Sequence, residues 1–91
     1  MKTLAMRVRP RPKVLFRDLG NEAVLLESES GIYYSLNEVG SRIWLLLQKH
    51  GQVEPTFRAL LDEYDVPEER LYEEIQEFVE KLASRGLVDI S

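Results

Sequence analysis

The sequence predicts an α+β fold, a three-stranded antiparallel sheet followed by three helices. The apolar pattern carries a strand period up to Leu36 and a helical period from Asn37 onward. Turn-forming residues separate the runs, and 91 residues provide for one core only. With 44% hydrophobic and 31% charged residues, the balance is that of a globular chain.

Residues 1–13 lack apolar periodicity, and Pro10 and Pro12 each disfavour helix at the residue before them. They are expected to form a flexible basic N-terminal arm, leaving 14–91 as the folded domain. Three short β-type runs follow, Val14 to Arg17, Ala23 to Glu27 and Ile32 to Leu36. Gly20-Asn21 and Ser28-Glu29-Ser30-Gly31 stand between them as turns, which makes the three an antiparallel meander.

Val39, Ile43, Trp44, Leu46 and Leu47 then fall on one helical stripe, with Asn37 placed to cap its first turn and His50-Gly51 to end it. A second stripe comprises Phe57, Leu60, Leu61 and Tyr64, with Pro55 near the first turn, where its missing N–H is harmless. The third helix opens at Pro67, Glu68 and Glu69, and Leu71, Ile75, Phe78, Val79 and Leu82 form its apolar stripe. Gly86 closes it, and Leu87 to Ile90 reads as a short strand or an ordered tail. Three helices with a small β component also fit a winged helix-turn-helix-like arrangement.

Catalytic parts are missing. Zero cysteines exclude thiolate chemistry and disulfides, and His50 is the only histidine, with no further ligands at metal-binding spacing. The five glycines are scattered singly, so no loop cradles a phosphate, and no nucleophile is set beside a base. The sequence therefore predicts no enzyme, no cofactor and no metal. No apolar run approaches the roughly 20 residues of a membrane span, and the N-terminus has no secretory character. A cytoplasmic protein without membrane contact is expected.

Charge narrows the binding classes. The net charge of −4 conceals a basic N-terminus, Lys2, Arg7, Arg9, Arg11, Lys13 and Arg17, and an acidic stretch from Glu54 to Glu80. A winged helix that binds DNA needs cations on its recognition helix. The third helix instead carries Glu68, Glu69, Glu73, Glu74, Glu77 and Glu80 against Arg70, Lys81 and Arg85, so a duplex would be repelled and no nucleic-acid partner is expected. The run Ile32-Tyr33-Tyr34-Ser35-Leu36 has neither charge nor proline. As an edge strand it is open to an added peptide strand, although both tyrosines are equally at home as ordinary β residues.

Gly31-Ile32-Tyr33-Tyr34-Ser35-Leu36-Asn37-Glu38-Val39-Gly40-Ser41-Arg42-Ile43-Trp44 closely resembles the Leu-Asn and Ile-Trp core of the PqqD-like family. The similarity runs from about Pro12 to Val88 and includes Val24-Leu25-Leu26, Tyr64-Asp65-Val66 and Phe78-Val79 with Leu82 and Gly86-Leu87. Members are precursor-peptide recognition elements of ribosomal peptide biosynthesis. The resemblance implies a leader peptide adding antiparallel to the third strand and resting beside the third helix. It places the binding edge at Ile32, Tyr33, Tyr34 and Ser35, and the cleft wall at Ile75, Phe78, Val79 and Leu82, with Lys81 and Arg85 near its end.

The Pro-Glu-Gly usual before the third strand in the pyrroloquinoline quinone branch is replaced here by Glu29-Ser30-Gly31. Tyr33-Tyr34 and Ile43-Trp44 look more like the stand-alone recognition proteins of lasso-peptide clusters. Those imply a separate, transglutaminase-like leader peptidase as a partner, and a cyclase downstream. A pyrroloquinoline quinone-type peptide chaperone is the alternative within the family, and a winged-helix DNA-binding protein the alternative outside it.

Overall fold

A computed structural model describes residues 5–20 and 22–91. The chain order is β1 (Val8–Pro10), β2 (Val14–Asp18), β3 (Ala23–Glu27), β4 (Ile32–Leu36), α1 (Glu38–His50), α2 (Val53–Glu63), α3 (Glu68–Ser84) and β5 (Val88–Ile90). The expected meander is present as an antiparallel sheet of order β2-β3-β4. The turn expected at Gly20-Asn21 lies partly outside the described residues, since Asn21 is not among them.

Strand alternation fixes the face that each residue presents. Val14, Ala23, Leu25 and Leu36 point toward the helices and are buried. Leu15, Leu26 and Tyr33, aligned across the sheet by the register, stand on the opposite face. The β3–β4 turn is held by Glu27, whose carboxylate accepts from the Ser30 amide at 2.6 Å and from the Ser30 hydroxyl. These bonds, and one from the Glu29 amide, hold the Glu27 carboxyl below its ordinary value. Gly31, at φ 73°, supplies the left-handed residue that the turn needs before β4 begins.

The helix ends follow the chemistry of their caps. The Asn37 Oδ1 accepts from the Gly40 amide at 2.7 Å, which fixes where β4 gives way to α1. At the end of α3 the Leu87 amide donates to the Leu82 carbonyl at 2.9 Å and the Gly86 amide to Ala83 at 3.1 Å. With Gly86 at φ 74° and both Leu82 and Leu87 fully buried, this is a Schellman end with its apolar contact. Arg42 on α1 donates to Glu63 on α2 at 2.9 Å and ties the two helices at the surface.

One continuous core, centred on Trp44, Leu47, Leu60, Ile75 and Leu82, fills the space between the sheet and the three helices. Thr56 is buried with its hydroxyl donating to the Gln52 carbonyl at 2.9 Å. Among the described residues, no helix is long and apolar enough to cross a membrane.

Of the flexible arm expected over residues 1–13, residues 1–4 lie outside the described residues, and over the rest β1 corrects the expectation. Val8 to Pro10 pairs antiparallel with β5, Val8 opposite Ile90 and Pro10 opposite Val88. On its other side the segment bonds to the α1–α2 junction, through Val8 N to Gly51 O at 2.9 Å and Val53 N to Met6 O at 3.1 Å. Val8 is fully buried. Three residues are too few to show a strand period, and the partner strand lies at the far end of the chain, so nothing local announced the pairing. The tail after Gly86 is correspondingly a strand.

Candidate functional site

In a three-stranded sheet both outer strands have an unpaired edge. β2 carries Arg17 and Asp18 on its own chain and Lys13 just before it, whereas β4 carries no charge. Alternate residues of β4 bond to β3 and the intervening ones aim their N–H and C=O groups outward. Beside that edge, between β4, the first turns of α1 and the middle of α3, lies a cleft of about 330 Å³. Tyr34, Ser35 and Leu36 form its strand side, Val39, Gly40 and Ile43 its α1 side, and Glu74, Glu77, Phe78 and Lys81 its α3 side.

Tyr34 is the pivot of the wall. Its ring meets Phe78 edge-on, with centroids 6.5 Å apart and planes at 69°. The Arg85 guanidinium carbon lies 5.1 Å from the Tyr34 ring centroid, a cation–π contact at the end of α3. Phe78 in turn presses on α1 where that helix has no side chain. A Cβ at Gly40 would stand 3.4 Å from Phe78 Cε1 and 3.2 Å from Asn37 Oδ1. Gly40 thus lets the first turn of α1 approach α3 closely.

Of the expected edge residues, Ile32, Tyr33 and Ser35 are exposed on β4 and Tyr34 is half-buried. Tyr33 and Ser35 point away from the helices; of the four, Tyr34 and Ser35 border the cleft, whereas Ile32 and Tyr33 do not. Phe78 and Lys81 both line the cleft, and Arg85, outside the lining, stands over the Tyr34 ring.

Ile75, Val79 and Leu82, expected in the cleft wall, are instead buried, at 0%, 1% and 0% exposure. They belong to the hydrophobic core and do not line the cleft. The physical reason is visible on the helix itself. At about 100° per residue Leu71, Leu82, Ile75 and Val79 occupy the centre and one flank of the stripe, and Phe78 occupies the other flank. Beyond Phe78 on that side come Arg85, Glu74, Lys81 and Glu77. Glu74 and Glu77, read from the sequence only as acids that would repel a duplex, line the cleft; Glu74 falls about 40° beyond Phe78 on the helical wheel, which was the signal available for it.

Electrostatically the cleft is mixed. Glu74 has an exposed partner in Arg70 at 3.5 Å. Neither Glu77 nor Lys81 has an ion-pair partner among the described residues.

Comparison with known proteins places this geometry. The solved structure of TbiB1 in complex with the TbiA(beta) leader peptide superposes with a TM-score of 0.82 at 31% identity, covering 89% of this chain and 94% of that one. A lasso peptide synthetase B1 complexed with the leader peptide gives a TM-score of 0.82 at 25% identity, covering 91% and 98%. No curated protein sequence matches the chain. The family model for Coenzyme PQQ synthesis protein D (PqqD) matches residues 22–88, which takes in β3, β4, all three helices and the start of β5. With that match over most of its length, the chain belongs to the PqqD family.

Proposed function

We propose that the protein captures the leader segment of a ribosomally made precursor peptide, of the lasso class, as an extra strand on β4, and presents it to a separate leader peptidase in the cytoplasm. The observation that carries this reading is the uncharged open edge of β4 running beside the Phe78 cleft. Backbone hydrogen bonds to the edge supply affinity, and side chains seated in the cleft supply selectivity. The two leader-bound structural neighbours support it, being similar along nearly their whole length.

The work done is binding rather than bond-making. Ordering a disordered leader costs about 2–5 kcal/mol of the gross interaction, and apolar leader residues against Tyr34 and Phe78 offset it. Micromolar or tighter binding, about −8 kcal/mol, is the expected result. The winged-helix DNA reading is disfavoured by the exposed glutamates of α3.

The test is fluorescence anisotropy of the labelled leader from the precursor encoded beside this gene, with a DNA duplex as control. Saturable leader binding without a DNA response is expected. A DNA response without leader binding would return the winged-helix reading to first place.

A further inference from the structure

The charges of the cleft are ordered along its length. α3 runs past β4 with its C-terminal end near Tyr34, where Arg85 lies over the ring, and its Phe78 turn against Gly40. Glu74 and Glu77 precede Phe78 on the helix and Lys81 follows it, all four lining the cleft. The acids therefore lie toward the end where β4 passes into α1, and the bases toward the beginning of β4. Glu77 and Lys81 are four residues apart in the orientation that favours a helical ion pair, yet that pair is not formed. Both charges remain available to a third party in the cleft.

Direction follows from the strand. β4 runs from Ile32 to Leu36. A peptide added antiparallel, the more stable pairing, enters beside Leu36 and leaves beside Ile32. Its earlier residues pass Glu74 and Glu77, its middle passes Phe78 and Tyr34, and its later residues pass Lys81 and Arg85.

We propose that the protein selects leaders by charge order: a basic residue on the N-terminal side of the apolar anchor that meets Phe78, and an acidic residue on its C-terminal side. Glu74 to Lys81 spans roughly 10 Å of helix axis, and Glu74 to Arg85 roughly 16 Å. At about 3.3 Å per residue of strand, the base and the acid stand roughly three to five residues apart. The inference rests on leader capture at β4 and adds to it a polarity that the hydrogen-bonded edge alone does not impose.

The experiment uses the full-length chain, the precursor leader described above, and a charge-reversed leader with the same apolar residues. Wild-type protein is expected to bind the reversed leader at least ten-fold more weakly, with the gap widening at low salt. Glu77→Lys combined with Lys81→Glu is expected to invert the preference. Both side chains are exposed, and the fold of the double variant is checked by its melting curve. Equal binding of the two leaders by wild-type protein, a preference for the reversed leader, or a double variant with unchanged preference overturns charge selection while leaving leader capture intact. No binding of either leader overturns leader capture itself, and charge selection with it.

Discussion

Phe78 and Ile75 lie one turn apart on α3 and face different worlds, the first bordering the cleft and the second buried at 0% exposure. Phe78→Ala is expected to weaken leader binding about ten-fold or more while costing less than the roughly 3–5 kcal/mol of a fully buried phenylalanine. Ile75→Ala should do the reverse, destabilising the fold by about 2–5 kcal/mol without changing the affinity of the folded molecules. Anisotropy titrations and urea melts on the same two variants separate these outcomes, and a large affinity loss in Ile75→Ala would put the cleft wall elsewhere. Asn37→Ala removes the only side-chain cap of α1 and should cost about 1 kcal/mol, a fall in Tm of roughly 4–8 °C. The cap was legible because it needs only the residue type and the onset of a helical period. The division of the α3 stripe between core and cleft was not, because periodicity tells which residues share a face and not what that face meets. Phe78 and Val79 are adjacent apolar residues on opposite flanks, and only the positions of β4 and Gly40 distinguish them.

At the scale of the element, β4 is a strand with one edge used and one free. A proline scan through Ile32, Tyr33, Tyr34 and Ser35 therefore predicts a two-residue alternation. Where the lost N–H faced outward, the fold persists and leader binding falls; where it bonded to β3, the sheet itself is weakened. Melting curves beside titrations on the four variants read this directly, and four equal effects would rule out strand addition at this edge. The turn before β4 has its own signature. Because hydrogen bonds from Ser30, then from Glu29, hold the Glu27 carboxyl low, the carboxylate steadies the turn at neutral pH. That contribution is present above the ordinary carboxylate range and lost as pH falls through the lowered value. An NMR titration should show the Ser30 amide shifting with a midpoint below that of an ordinary glutamate, and Glu27→Gln should abolish the transition. The meander was readable from period and turn residues, and so was the absence of charge on its last strand. The cleft beside it was not, since it arises where three elements distant in sequence meet.

At the scale of the whole molecule, the two ends of the chain close on each other. β1 lies between β5 and the α1–α2 junction, and its Val8 shares one core with Val53, Leu87 and Val88. Proline and arginine content made this segment read as a solvated arm, because composition weighs every residue equally, whereas burial here depends on one valine and a backbone bonded on both sides. Removing residues 1–10 forfeits the Val8 burial, worth about 1.5–3 kcal/mol, and bares part of the core that it covers. A fall in Tm of about 10 °C or more follows for a domain of this size. Asp89→Ala is the matching control, since it breaks only the exposed Arg11–Asp89 pair at 3.0 Å, worth under about 1 kcal/mol. Calorimetry of the two variants decides the matter. A truncated chain that melts with the wild type would make the segment a dispensable arm, whereas a large loss confined to the truncation would make β1 and β5 a clasp that holds α3, and with it the cleft, against the rest of the domain.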